Sequence, residues 1–589
     1  MTQPENLSER VYPKRPVQAF ARWRAFARQR RPDIPESSKK EPSACGQKVP
    51  PLGVIALHRL AYGPCPGDLE AFNALGGDDL SRLTRYVDQQ LDPMSLDDQA
   101  ADELLARADF MTLDKPLEQL WQEHVLDDPD PRAWDQQVLD PSVWDSRFRD
   151  LHHQPIREVE RSTLLRAVHS KRQLFEVLVD FWHGHFNVLG WDCGLGPLFT
   201  HYDRDILRVH ALGNFRQLLE AIAQSPIMLC YLDNLNTNAG PNGKYVRELF
   251  GRHTLGRQND RGSEPWDSVP IDSEGFPIGF VDADVREAAR CFTGWTIDDS
   301  CCGHTGEFSY REDWHDARQK RVLGLSIPAD QAPLRDGRDV FDRLAGHPGT
   351  ARHIAEKLCQ RLISDHPPEP VIDAAAAVFR AEAEAPDQIA QVVRTIVLSE
   401  EFRTTWGEKT KRPFEILAGA LRAAQGRFSY AVGDAGCESL FDRYQHSGHG
   451  LFGRGVAAGQ SIDAGVRFSA NREAWEDSRP LWISHSPRVT CWRLVHWLVV
   501  SRDAKGSYRL NVLEQTPANV RTARGLADFW IHRVLGRPMP EGARQEVIEF
   551  MAQGYGPDAD LPVDEEPALR ERLQAMLGLL FISPDFLRR

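Results

Sequence analysis

From Pro51 onward, apolar residues recur at steps of three and four, and Gly and Pro cut the pattern into short segments. LGVIALHRLAYG and PGDLEAFNALG open the series, and SLDDQAADELLARADFMTL and PLEQLWQEHVL continue it as amphipathic helices. Arg157 to Trp182 is predicted as one continuous helix, with Leu174, Val177, Leu178 and Phe181 at helical spacing. DADVREAARCFTGW predicts another, with Asp282 or Asp284 suited to its N-cap, and helices resume from Arg343 through Ala424. The one stretch with strand alternation, EFSYREDWHDARQKRVLGLSI, predicts a small hairpin turning near Asp316 to Arg318. The expected fold is mostly α: a large multi-helix body with long irregular loops and one β-hairpin.

The same pattern sets the expected boundaries. Residues 1–50, rich in Pro, Ser and charge, read as a flexible extension, and 51–430 as the main helical domain. A Gly-rich irregular connection follows over 431–475, and 476–589 read as a C-terminal helical region packed on the main domain. RQNDRGSEPWDSVPIDSEGFPIGF is long for a loop inside a compact domain and is a candidate lid or partner surface. VVRTIVLSEEFR and AMLGLLFISPDFLRR echo one another: each is an apolar helix ending in Ser-x-x-Phe. Either a common helix-to-turn ending or two related units closed by a tethered Phe accounts for the echo.

Composition narrows the function class. An apolar fraction of 41% with 15 Trp and 27 Phe supports a substantial core. A formal charge of −14 argues against generic nucleic-acid binding, and no run of 18 or more apolar residues supplies a membrane span. The ten cysteines form no CxxC pair, and Cys301 and Cys302 are adjacent, which suits reduced thiols in a cytoplasmic protein. No GxSxG elbow, Walker A loop, GxGxxG fingerprint or HExxH stands in a convincing context, which argues against the commonest hydrolases, nucleotidases, dehydrogenases and zincins.

Candidate chemistry concentrates between Phe181 and Gly256. Five of the twenty histidines lie there, His183, His185, His201, His210 and His253, among Asn187, Asp203, Arg208, Asn214, Asp233, Asn234, Arg247 and Glu248. A core needs none of these polar groups, since each costs energy to bury without a partner. On a straight helix His185 falls on the Leu174/Phe181 face and His183 nearly opposite, so the pair can share one ion only if the helix breaks at Gly184. Asp203 can cap a helix that carries His210 and Asn214 on its own side, two turns on. Arg247 and Glu248 most simply make ion pairs between helices, and His315 with Asp316 could be delivered to a cleft by the hairpin.

HRLAYGP, FWHGHF, YDRDILRVHALGNF, SPIMLCYLDN, PNGKYVRELFGRHTLG, DVREAARCFTGW, HDARQKRVLG, HPGTARHIAEKL and KRPFEILAGALRA occur in this order. On these blocks the chain resembles the bacterial DUF1800 family over roughly residues 50 to 589. The resemblance implies a mostly helical fold and leaves the reaction open. It also implies a heteromeric partner, a DUF1501-like protein of phosphatase-like fold. His253, His315, Asp316 and Lys320 match the family's pattern, whereas Gly251 stands where a second acid is common. The chain also departs from the export signal with which many members begin.

Two readings remain open. One is a metal-dependent enzyme, redox in preference to hydrolytic, with His183, His185 and others of His201, His210 and His253 binding Fe, Cu, Zn or Mn. Asp203, Arg247, Glu248, His315 and Asp316 are its candidate catalytic groups. The other is a non-catalytic helical binding or maturation partner of a DUF1501-like protein, in which the polar residues form a buried network that fixes helix register.

Overall fold

Helices, most of them short and amphipathic, make up most of the described residues, as the three-and-four spacing predicts. The computed structural model describes residues 49–126, 146–191, 195–298, 305–447, 450–453, 485–503, 506, 509–561 and 566–589. Val49–Arg589 pack as one unit around a shared apolar core in which Trp182, Trp295 and Trp530 are fully buried. Among the described residues, no helix is long and apolar enough to cross a membrane. The six cysteines described, Cys65, Cys230, Cys291, Cys359, Cys437 and Cys491, are free thiols.

The helix predicted from Arg157 to Trp182 is two helices, Ser146–His169 and Gln173–Phe186. The break is held from outside: Asp98 accepts from the Ser170 hydroxyl at 2.6 Å and from the Lys171 amide at 2.7 Å. Periodicity alone cannot show this, because the carboxylate comes from a distant loop. Gln173–Phe186 buries Leu174, Val177, Leu178 and Trp182, and the Trp182 indole donates to the Ala211 carbonyl at 2.9 Å. The helix runs on through Gly184, whose missing side chain would point into open space, and ends at Asn187 in the left-handed region (φ 49°).

The β content differs in pairing from the expected hairpin. Trp295–Ile297 pairs antiparallel with Phe308–Tyr310, Trp295 opposite Tyr310. Lys320–Val322 pairs with Leu325–Ile327 across a turn at Leu323 and Gly324, both at positive φ. The turn thus falls seven or eight residues beyond Asp316. Val281, not an Asp, is the N-cap of Asp282–Cys291; Asp284 sits inside the first turn and accepts from the Val281 amide at 3.1 Å. Ala435–Gln445, in the stretch expected to be irregular, is helical because Asp434 accepts from the Gly436 and Cys437 amides. The rest of that stretch lies largely outside the described residues.

The echoed segments share one construction. Ser399 and Ser583 each cap a short helix by accepting from the amide of a buried phenylalanine, Phe402 at 3.1 Å and Phe586 at 3.3 Å. A cation lies over each ring: Arg59 over Phe402 and Lys411 over Phe586.

Candidate functional site

Asp203 stands on the wide π-helical turn Tyr202–Leu207, inside a helical run rather than at its cap, and is 4% exposed. One of its oxygens lies 2.8 Å from His183 Nε2, and the other accepts from Arg208 Nε at 2.7 Å. The two remaining Arg208 nitrogens donate to both oxygens of Glu176 at 3.0 Å, a bidentate pair. Burial pushes the Asp203 carboxyl up, but the Arg208 charge and the bond from His183 outweigh it and hold it well below the usual carboxylate range. Arg208 is likewise pushed down by burial and raised on balance by Asp203 and Glu176. The His183 ring stacks on Phe199, with centroids 5.3 Å apart, and packs against Phe452.

His185 leaves the same helix on another side, because the break at Gly184 that would bring the two together is absent. Its Nε2 donates to the His253 carbonyl at 3.2 Å, and His353 Nε2 donates to the Arg252 carbonyl at 3.2 Å. His253 in turn bonds the Phe186 carbonyl. These carbonyls end the helical runs Leu249–Thr254 and Gln173–Phe186, where backbone acceptors lack intrahelical partners. Three imidazoles therefore act as donors that close two helix C-termini. Burial is the leading cause that lowers all three: His185 well below its ordinary value, His253 to about 3 and His353 to about 4. His58 does the same at the end of Ala523–Leu535, its Nε2 lying 3.2 Å from the Leu535 carbonyl.

The other candidates are dispersed. His201 bonds Asp205 at 2.7 Å, one helical turn on, and Arg204 holds the same carboxylate. His210 is half-buried, its ring bonds no other group among the described residues, and burial lowers it; Asn214 instead caps Phe215–Gln224. Arg247 is 45% exposed and pairs with Asp260 and Asp282, so the expected ion pairs are present at the surface. Glu248 pairs with Arg252 at 2.9 Å and Arg257 at 3.4 Å. His315 and Asp316 do not act together: His315 faces Asp336 at 3.2 Å, which also takes Lys320 at 2.6 Å, while Asp316 binds Arg290 and Arg318.

The fit to a metal can be judged from these positions. Three imidazoles bound tetrahedrally to one ion at about 2 Å per bond bring their ring centres to about 5 Å. His185 lies 6.4 Å from His253 and 6.1 Å from His353, centre to centre. Among the described residues, no group of three or more His, Cys, Asp or Glu is placed to hold a metal ion. His183, His185, His201, His210 and His253 thus do not form one ligand set.

An open cleft of about 650 Å³ lies beside the Asp203 chain, bordered by Arg208. Leu91, Phe175 and Leu212 line it, and Met94 and Val209 stand at its mouth 78% and 65% exposed. Arg208 is committed to its two acids, and Arg394 binds Asp88 at 2.8 Å. Asp92 and Asp387 also line the cleft and have no cationic partner among the described residues.

A family model described as "Protein of unknown function (DUF1800)" matches residues 55–588, nearly the whole chain. The chain belongs to the DUF1800 family. No curated protein and no solved structure matches it. In this DUF1800 chain the blocks that carry the resemblance meet in the core: FWHGHF and YDRDILRVHALGNF supply the His183–Asp203–Arg208 chain, and HPGTARHIAEKL supplies His353. KRPFEILAGALRA brings Arg412 and Glu415 to Arg361 and Asp180, a second buried ion cluster. Sequence reasoning missed Glu176, Asp180 and His353 as members of these networks. Their signal was present, since Glu176 and Asp180 are acids on an otherwise apolar helix.

Proposed function

We propose that this DUF1800 protein is a non-catalytic binding protein whose cleft beside Arg208 receives a segment of a protein partner. The observation that carries the reading is the cleft itself: exposed Met94 and Val209 over Leu91, Phe175 and Leu212. Its charges favour a basic occupant, because the arginines are paired within the chain whereas Asp92 and Asp387 have no cationic partner among the described residues. The histidines support the same reading from the other side. Each of His185, His253 and His353 commits a nitrogen to a helix end, and His183 to Asp203, which is work done for the fold. The partner implied by the family is a DUF1501-like protein, which would present an apolar segment flanked by Lys or Arg.

The test is titration of the purified chain against a DUF1501-like protein by calorimetry. Met94→Asp with Val209→Asp should weaken binding at least tenfold while the melting temperature stays that of the unaltered chain. Binding untouched by the pair would overturn the cleft assignment. Elemental analysis of the same preparation tests the rival, metal-dependent redox reading. Near-stoichiometric Fe, Cu, Zn or Mn, lost on His185→Ala with His253→Ala in a folded protein, would replace the binding reading with that one.

A further inference from the structure

The cleft beside Arg208 is walled by helices and the turns that join them. Asp387, Ala390, Gln391 and Arg394 line it at helical spacing, so one face of Gln388–Leu398 runs along it for two turns, about 10 Å. Asp88 and Leu91 line it from Asp79–Leu91, and Arg394 binds Asp88 at 2.8 Å from one helix to the other. Where a turn lines it, the backbone is already used: the Leu212 and Gly213 carbonyls accept from the Ala390 and Ile389 amides at 3.3 and 2.9 Å. No lining residue belongs to a strand. An extended occupant needs a row of free amides and carbonyls to pair with, and this cleft presents side chains instead. Its floor is fixed before anything binds, since Phe175 lies under Arg208, which Asp203 and Glu176 hold.

The two acids without a cation add a separate observation. Asp92 is the N-cap of the short turn Pro93–Ser95, and Asp387 that of Gln388–Leu398, positions where an aspartate ordinarily accepts from the backbone amides. Neither side chain does so. Asp92 also directly follows Asp79–Leu91, at the negative end of that helix, where a carboxylate is unfavourable. Asp387 accepts from Gln391 Nε2 at 2.7 Å through one oxygen only. Capping therefore accounts for neither carboxylate.

Resting on the binding reading above, we propose that the occupant is an amphipathic α-helix, its apolar stripe seated on Leu91, Phe175 and Leu212 and its Lys or Arg residues on Asp92 and Asp387. A helix satisfies its own backbone, so it can enter a groove that has only side chains to give. Leu or Met at steps of three and four meets the apolar floor, and basic residues beside that stripe meet the two carboxylates. The exposed charges speed capture, and the apolar stripe sets how long the complex lasts.

The test titrates the full chain by calorimetry with two synthetic peptides of identical Leu, Lys and Gln composition. Each is about 18 residues long; one carries Leu three and four apart, and the other carries Leu at alternate positions, the strand pattern. The helix-patterned peptide should bind at least tenfold tighter, gain helical circular dichroism on binding, and lose at least tenfold in affinity with Met94→Asp and Val209→Asp. Asp92→Asn with Asp387→Asn should weaken it about fivefold at low salt and flatten its salt dependence. Equal affinity of the two peptides, no binding of either, or a bound peptide that stays unfolded would overturn the helical occupant. Affinity and salt dependence unchanged in the Asp92→Asn, Asp387→Asn chain would overturn the role of the two acids. A DUF1501-like protein that binds the unaltered chain and ignores Met94→Asp with Val209→Asp would instead remove the cleft as the partner's seat, a result independent of either peptide.

Discussion

Replacing Asp203 tests whether the central polar residues are a structural network. Asp203→Ala removes two charge-assisted bonds, from His183 Nε2 and from Arg208 Nε, and leaves Arg208 with Glu176 alone. At about 1.5–3 kcal/mol each, the two bonds amount to about 3–6 kcal/mol. Removing the cost of burying the carboxylate offsets part of this, so a net loss of about 3–5 kcal/mol is expected, the range for breaking a buried pair from one side. Equilibrium urea unfolding at pH 7 measures it as a fall in midpoint at unchanged slope. The pH dependence has a definite sign. A carboxyl held below its unfolded value contributes in full above about pH 4, and its contribution is lost only as pH falls further. The gap between Asp203→Ala and the unaltered chain should therefore be constant from pH 5 to 8. A loss under about 1 kcal/mol would refute the network reading, because a buried Arg208 stripped of one acid cannot be that cheap.

Two further outcomes are expected. Arg247→Ala should cost only about 0–1 kcal/mol in the same assay, since Arg247 is 45% exposed and its pairs with Asp260 and Asp282 are at the surface; a loss above about 2 kcal/mol would show it does more than pair. His253 and His353, lowered to about 3 and about 4 against an unfolded value of about 6.5, make stability full above about pH 6.5 and falling steadily below it. His353→Gln, which can still donate to the Arg252 carbonyl, should flatten that fall between pH 6.5 and 4, and an unchanged slope in the melting-temperature profile would contradict the assignment.

Local spacing was enough to determine the helical class, because a helix is specified by residues three and four apart and its ends by nearby Gly, Pro and capping side chains. The resemblance carried by nine blocks likewise determined the family, and the concentration of polar residues from Phe181 to Gly256 located the His183–Asp203–Arg208 chain in outline, but not the Asp180–Arg361–Arg412–Glu415 cluster, whose members all lie outside that stretch. What each polar residue meets was decided only by the tertiary structure. His185 finds a carbonyl 68 residues away, His353 one 101 away, and Arg361 a carboxylate 181 away. None of these separations leaves a trace in local periodicity. The break at Ser170 shows the same limit, since Asp98 imposes it from 72 residues earlier. Gly184 shows the converse: a poor helix former stays helical when Trp182 and Phe186 are anchored on either side and its own position faces open space. Histidine spacing that resembles a ligand set in one dimension is, in three, a set of donors. The free ends of helices are the strongest unpaired acceptors in a helical core, and an imidazole N–H reaches them at little cost.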